Sequence, residues 1–194
     1  MRKTMLYIKT LIAYFHVRIL LRKRISITGN LILSGYPMII IKKSGRLILG
    51  ENVVLNSNPS TYHAFMHSSV KILIDQPNAM IKIGNNTRIN GSCLHASKLI
   101  SIGENCLIAA GTQIIDSNGH LTALEDPLIR INSKDIPKEI IIEDNVWIGL
   151  NCLILPGAKI GAGSVIAAGS IVKSEIPPNS LVSCPNSIVL KTIA

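Results

Sequence analysis

Five histidines and four cysteines are the side chains of this chain best suited to proton transfer, metal binding or thiol chemistry. An imidazole titrates near neutrality and can serve as a general base or as a metal ligand. His63 and His67 have the i, i+4 spacing of a metal pair, but no acid or cysteine lies close by and NSNPSTYHAFMHSSV has no helical pattern, so no metal is expected. His16 sits in a helical stretch and carries no expected chemistry. His120, in IIDSNGH, stands at the root of a long insertion, and Asp116 four residues earlier either orients it or is an exposed residue there. Gly119 beside His120 supplies a turn. Cys93, Cys106, Cys152 and Cys184 are far apart without CxxC spacing, which fits a reducing compartment.

The elements that must hold these residues are visible in the aliphatics. Ile142, Ile148, Ile154, Ile160, Ile166 and Val172 recur every six residues, as do Ile102, Ile108 and Ile114, Leu49 with Leu55, and Ile83 with Ile89. A period of six fits neither a helix nor an alternating strand; it fits short strands joined by tight corners, three to a triangular coil. The third residue after these guide positions is repeatedly Asn or Gly, among them Asn52, Asn58, Asn86, Asn105, Gly111, Asn145, Asn151, Gly157, Gly163 and Gly169. Both residue types tolerate left-handed backbone angles at corners. Two positions before the guide stand small or branched residues such as Thr87, Cys106, Thr112, Cys152 and Ser164, as a narrow interior requires. With 34 Ile against 4% aromatics, the core is built from one repeated side chain.

Two interruptions stand out. Ile83 to Ile102 is 102 − 83 = 19 residues, one more than three sixes, so one residue is inserted; His95, six after Ile89, is at a guide position and lines the interior as a structural histidine or else a substrate cleft. Ile114 to Ile142 is 28 residues where six would do, so about residues 117–138 leave the prism as a loop. Loops that long in compact domains are usually functional. Residues 56–80 are irregular.

Residues 1–50 hold ten Lys/Arg and no acid, whereas 51–194 hold ten against eleven Asp/Glu. Met5, Ile8, Ile12, Phe15 and Ile19 step at helical spacing over residues 4–24. The stripe is expected to pack on the chain or on another subunit; the second reading is an interfacial helix on anionic lipid with Arg22, Lys23 and Arg24 at the headgroups. The longest unbroken apolar run there, Leu11 to Phe15, is too short for a secretory segment or a membrane span. Nucleic acid is not an expected partner, because the basic segment lacks interleaved aromatics.

The run NVWIGLNCLILPGAKIGAGSVIAAGSIVKSEIPPNS, Asn145 to Ser180, resembles the C-terminal coils of hexapeptide-repeat acyltransferases, and IIDSNGH resembles the segment that carries their catalytic histidine. The similarity covers about residues 80–190 and is strongest to galactoside and maltose acetyltransferases and bacterial surface-polysaccharide O-acetyltransferases. It implies an all-β fold, a left-handed parallel β-helix over 46–190 with one long excised loop, preceded by a basic N-terminal helical segment and lead-in over 1–45. It implies acetyl-CoA as co-substrate, a carbohydrate acceptor, a homotrimer, and His120 as general base. Asn90 falls where the family holds the acceptor hydroxyl, or is a corner residue. Trp147 matches the wall of the CoA groove, Leu150 and Ala168 the backbone positions along the pantetheine arm, and Lys173 the phosphate contact. Two departures are Lys173-Ser174 in place of Thr-Lys, and Lys98 where galactoside enzymes carry an aspartate. The implied activity is O-acetylation of a sugar hydroxyl in a surface polysaccharide or its precursor, with antibiotic O-acetylation or amino-sugar N-acetylation as alternatives. A cytoplasmic location is expected, with peripheral contact at the membrane's inner face left open to residues 1–24.

Overall fold

A computed structural model describes residues 2–42 and 44–183. Among them are twenty short strands, numbered in chain order from β1 (Ile25–Ile27) to β20 (Leu181–Val182). Every third strand stacks in parallel on the last, giving three sheets of seven, seven and six strands. This is a left-handed parallel β-helix of triangular section.

The guide aliphatics fill its axis: Ile142, Ile148, Ile154, Ile160, Ile166 and Val172 are no more than 2% exposed. Cys106, Cys152, Thr87, Thr112 and Ser164 are buried beside them, so both cysteines line the core, while Cys184 lies outside the described residues. The corners behave as their chemistry requires. Asn52, Asn86, Asn105, Asn145 and Asn151 adopt φ of 55–60°, and Gly111, Gly157, Gly163 and Gly169 lie at 71–87°. Asn58 departs from this pattern: its φ is −112°, because there the chain leaves the prism into a short 3-10 turn at Pro59–Thr61. It returns only at β6 (Lys71–Ile74), which explains the irregular stretch.

The prism begins earlier than residue 46. β1, β2 (Leu31–Ser34) and β3 (Met38–Ile41) already form a coil that pairs in register with the next. In this coil the alternation of buried and exposed residues is clear, and Gly35 turns a corner at φ +77° as the later glycines do.

The N-terminal segment is an α-helix, α1 (Arg2–Phe15), continued by a wider π turn at His16–Leu20. The face it packs is not the expected one. Ala13 and Val17 are buried, whereas Met5, Ile8, Ile12, Phe15 and Ile19 are all at least 50% exposed. The reason lies in β2, the first strand of its sheet, whose backbone groups have no strand on one side. The Tyr14 hydroxyl donates to Leu31 O (2.8 Å) and accepts from Leu33 N–H (3.0 Å), and Thr10 Oγ1 accepts from Gly35 N–H (3.1 Å). An open strand edge needs hydrogen-bonding partners, which a purely aliphatic stripe cannot supply. His16 pairs with the Tyr36 hydroxyl at 2.7 Å in the same cap.

Candidate active site

The excised loop leaves the prism after β12 (Gln113–Ile115) and re-enters at β13 (Ile140–Ile142). Its root is held by Asp116, which is fully buried and is neither an exposed residue nor a partner of His120. The Asp116 carboxylate accepts three backbone N–H bonds, from Ser97 (2.7 Å), Lys98 (2.7 Å) and Leu99 (2.9 Å). Burial pushes this carboxyl above the ordinary carboxylate range, while the three donors and the nearby His95 pull it back. Its own carbonyl accepts from Lys138 N–H at the far end of the loop (2.8 Å), closing the loop at its base. Replacing Asp116 by Ala strands three donors, each costing about 1–3 kcal/mol when buried. We expect a loss of about 3 kcal/mol or more, read as a lowered denaturant midpoint at unchanged slope; a midpoint within error of wild type overturns the clamp.

Within the loop, Gly119 has φ +85°, a conformation strained for any residue with a Cβ, and this turn presents the next residue, His120. Asp135 closes the turn by accepting from Asn118 N–H at 2.8 Å. His120 Nδ1 lies 2.8 Å from the carbonyl oxygen of Arg130. A carbonyl can only accept, so Nδ1 carries the proton and the Nε2 lone pair is left for other work. Ser133 Oγ also donates to that carbonyl (2.8 Å) while accepting from Leu121 N–H (2.9 Å). The Arg130 side chain donates to the carbonyls of Thr122 (2.6 Å) and Ala123 (3.3 Å), which ties the loop to itself. The orienting group is therefore a backbone carbonyl ten residues on, and no residue-type pattern signals such a partner.

His120 lines a cleft of about 540 Å³ together with Asp75, His95, Ser97 and Lys134. His95 is not in the interior. The corner at Asn90-Gly91-Ser92, with Gly91 at φ +42°, is one residue short: Ile89 pairs with Ile108 and Leu94 with Ile114, so Leu94 and Ala96 are buried, His95 turns outward on β9 (Cys93–Ala96), and the surplus falls between Leu94 and Ile102. His95 Nε2 is 3.3 Å from Asp75 Oδ2, and Ser97 Oγ donates to Asp75 Oδ1 at 3.0 Å. Asp75 has no motif to mark it, and His95, which the spacing leaves between the interior and a cleft, lines the cleft because of how the corner before it is built. Lys98 instead pairs with Glu139 at 3.7 Å on the surface.

The other sequence-predicted residues lie elsewhere. Asn90 and Trp147 line a separate cleft of about 510 Å³ with Arg88, Leu107 and Tyr62. Trp147, on β14 (Trp147–Ile148), is 53% exposed and stacked between Leu107 and Val165 of neighbouring coils. Asn90 ends β8 (Arg88–Asn90) and is buried: its Oδ1 accepts from Asn56 Nδ2 (3.2 Å) and its Nδ2 donates to Ile108 O (3.0 Å). Leu150 is half-buried, its carbonyl accepting from Gly169 N–H (2.8 Å), and Ala168 and Lys173 are exposed at corners above and beside it. The backbones stack so tightly there that a Cβ on Gly149 would come within 2.6 Å of Ala168 N. One chain therefore separates the histidine cleft from the Trp147 face. His63 and His67 stack on Tyr62 and Phe65, and no group of three or more potential metal ligands occurs among the described residues.

Residues 139–174 match the family model for bacterial transferase hexapeptide, six repeats. That segment of the chain is built of hexapeptide repeats. The chain is 29% identical over 162 residues to a protein of Escherichia coli strain K12 named as a lipopolysaccharide biosynthesis O-acetyl transferase, covering 78% of this chain and 74% of that one. It is 44% identical over 80 residues to the galactoside O-acetyltransferase of the same organism, covering 41% of this chain but only 37% of that enzyme. A hexapeptide-repeat acetyltransferase of Vibrio cholerae, solved in complex with acetyl coenzyme A, superposes with a TM-score of 0.50 at 36% identity, over 59% of this chain and 61% of that one. The hexapeptide repeats thus continue over the coils that carry Trp147, Leu150, Ala168 and Lys173.

Proposed function

We propose that this protein transfers an acetyl group from acetyl-CoA to a sugar hydroxyl, in a surface polysaccharide or its precursor, with His120 as general base. The observation that carries the reading is the fixed tautomer of His120: Nδ1 held by the Arg130 carbonyl, Nε2 open to an exposed cleft. A sugar hydroxyl is a weak nucleophile, and its proton must leave as its oxygen attacks the thioester carbonyl. Nε2 takes that proton. The tetrahedral adduct collapses to the acetyl ester, the C–S bond breaks, and the imidazolium returns its proton to the departing thiolate, so the histidine ends as it began.

The acetyl-CoA-bound relative and the two O-acetyltransferases support the donor and the reaction class, and the lipopolysaccharide relative supports the acceptor. The donor lies along the Trp147 face. Trp147 walls it, the backbone at Leu150 and Ala168 bonds the pantetheine arm, Lys173 meets phosphate, and Asn90 borders the acceptor. His95, oriented by Asp75, contributes a polar wall opposite His120. The active unit is a homotrimer, because the two clefts must meet across a subunit boundary. Leu124, Leu128, Ile131 and Ile136 of the excised loop are all at least 74% exposed in one chain, an apolar surface suited to a neighbouring prism.

Release of free CoA thiol, followed over a panel of free sugars, nucleotide-sugars, oligosaccharides and hydroxyl-bearing antibiotics, tests the reading. Thiol release that depends on a sugar, with an ester product, is the expected result. Acetylation of an amine or of an antibiotic alone reassigns the acceptor, and no release with any acceptor overturns the enzyme.

A further inference from the structure

The outward face of α1 has no partner within the chain, and it carries two kinds of signal together. Met5, Ile8, Ile12, Phe15 and Ile19 form an apolar stripe on the side of the helix away from Ala13 and Val17. Because Thr10 and Tyr14 hydrogen-bond the opposite face to β2, the helix is fixed on the end of the prism with the stripe facing out. Lys9, Arg18, Arg22 and Lys23 are exposed around it, and neither ion pair among the described residues involves any of them.

We infer that this face docks on an anionic lipid bilayer, with the helix lying in the interface. The occupant follows from charge. The first 50 residues hold ten Lys/Arg and no acid, so a second copy laid face to face on this helix would oppose cation to cation. A bilayer with acidic headgroups offers apolar depth to the stripe and negative charge to the bases at once. α1 has 14 residues, about 21 Å of helix, and no helix among the described residues is long and apolar enough to cross a membrane, so the contact is peripheral.

A groove of about 780 Å³ between α1 and the first coils extends the same surface, lined by Met5, Leu6, Ile12 and Met38. Lys9 stands at its side. An apolar trough beside a cation is matched to an acyl chain under an anionic headgroup.

The test is co-sedimentation of the full-length protein with phosphatidylcholine vesicles, with and without phosphatidylglycerol. We expect the protein to pellet with the anionic vesicles in low salt and to be released at about 1 M salt, where the Debye length falls to about 3 Å. Ile8→Glu/Ile12→Glu, two exposed positions, should abolish pelleting. Lys9→Gln/Arg18→Gln should weaken it about fivefold per charge removed. Wild-type protein that stays in the supernatant with anionic vesicles overturns the inference, as does equal pelleting on neutral vesicles or of the Glu variant. A change of assembly state in lipid-free buffer on Ile8→Glu/Ile12→Glu would assign the face to a second copy instead. Lys9 and Arg18 are both exposed, so this pair remains decisive even if the Glu variant fails to fold. None of these outcomes depends on the acetyl-transfer reading, which a soluble acceptor tests separately.

Discussion

Replacing His120 by alanine lowers the turnover of acetyl transfer by about 10²-fold or more while leaving the thermal midpoint and CoA affinity near wild type. A positioned general base contributes about 10²–10⁴-fold, and it does so in the transition state, so its loss falls on kcat and not on donor binding. The structure makes the separation clean. His120 is exposed, and its ring bonds a carbonyl that Ser133 also serves, so the loop keeps its closure when the ring is removed. The measurement is steady-state thiol release with the acceptor that the panel identifies, together with CoA binding by calorimetry. Near wild-type turnover in the variant removes His120 from the chemistry and moves the search to His95, which lines the same cleft.

The prism was legible in the chain because its constraint is local and repeated. One aliphatic must point inward on each strand, and one Asn or Gly must turn each corner, so the six-residue period reports packing directly. The excised loop was legible for the same reason, as a gap in that period. The first coil is fainter because, although Ile27, Leu33 and Ile39 stand six apart, only Asn30 of the residues three beyond them is Asn or Gly. His95 stands six after Ile89 and yet is not the inward residue. A period can reveal that something is inserted between Ile83 and Ile102 but not where: the corner at Gly91, φ +42°, is one residue short, so Leu94 takes the inward place, and the surplus follows it. Within the chain the helix packs by Ala13 and Val17 and not by its apolar stripe, because the pattern of apolar residues says what prefers to leave water, not what the neighbouring surface needs. The open edge of β2 needs a hydroxyl, and Tyr14 and Thr10 supply it. Asp116 and the Arg130 carbonyl lie beyond sequence reading altogether, since each acts through backbone groups.

The second large effect concerns assembly. His120→Ala and Ala168→Trp, each inactive alone, should recover activity when the two chains are unfolded, mixed in equal amounts and refolded together. Ala168 is exposed at a corner, so a tryptophan there obstructs the groove without entering the core. In one chain the histidine cleft and the Trp147 face share no lining residue. If a working site joins the loop of one subunit to the groove of its neighbour, random cyclic assembly places an Ala168→Trp chain's intact histidine against a His120→Ala chain's intact groove at about one boundary in four. Activity should therefore return to about a quarter of the wild-type value, whereas a site contained within one chain returns none at any mixing ratio. The dependence on ratio sharpens the test, because the yield should follow the product of the two fractions and peak at equal amounts. A fully active monomer in sedimentation would sink the shared site. So would a refolded mixture that contains mixed assemblies and remains inactive.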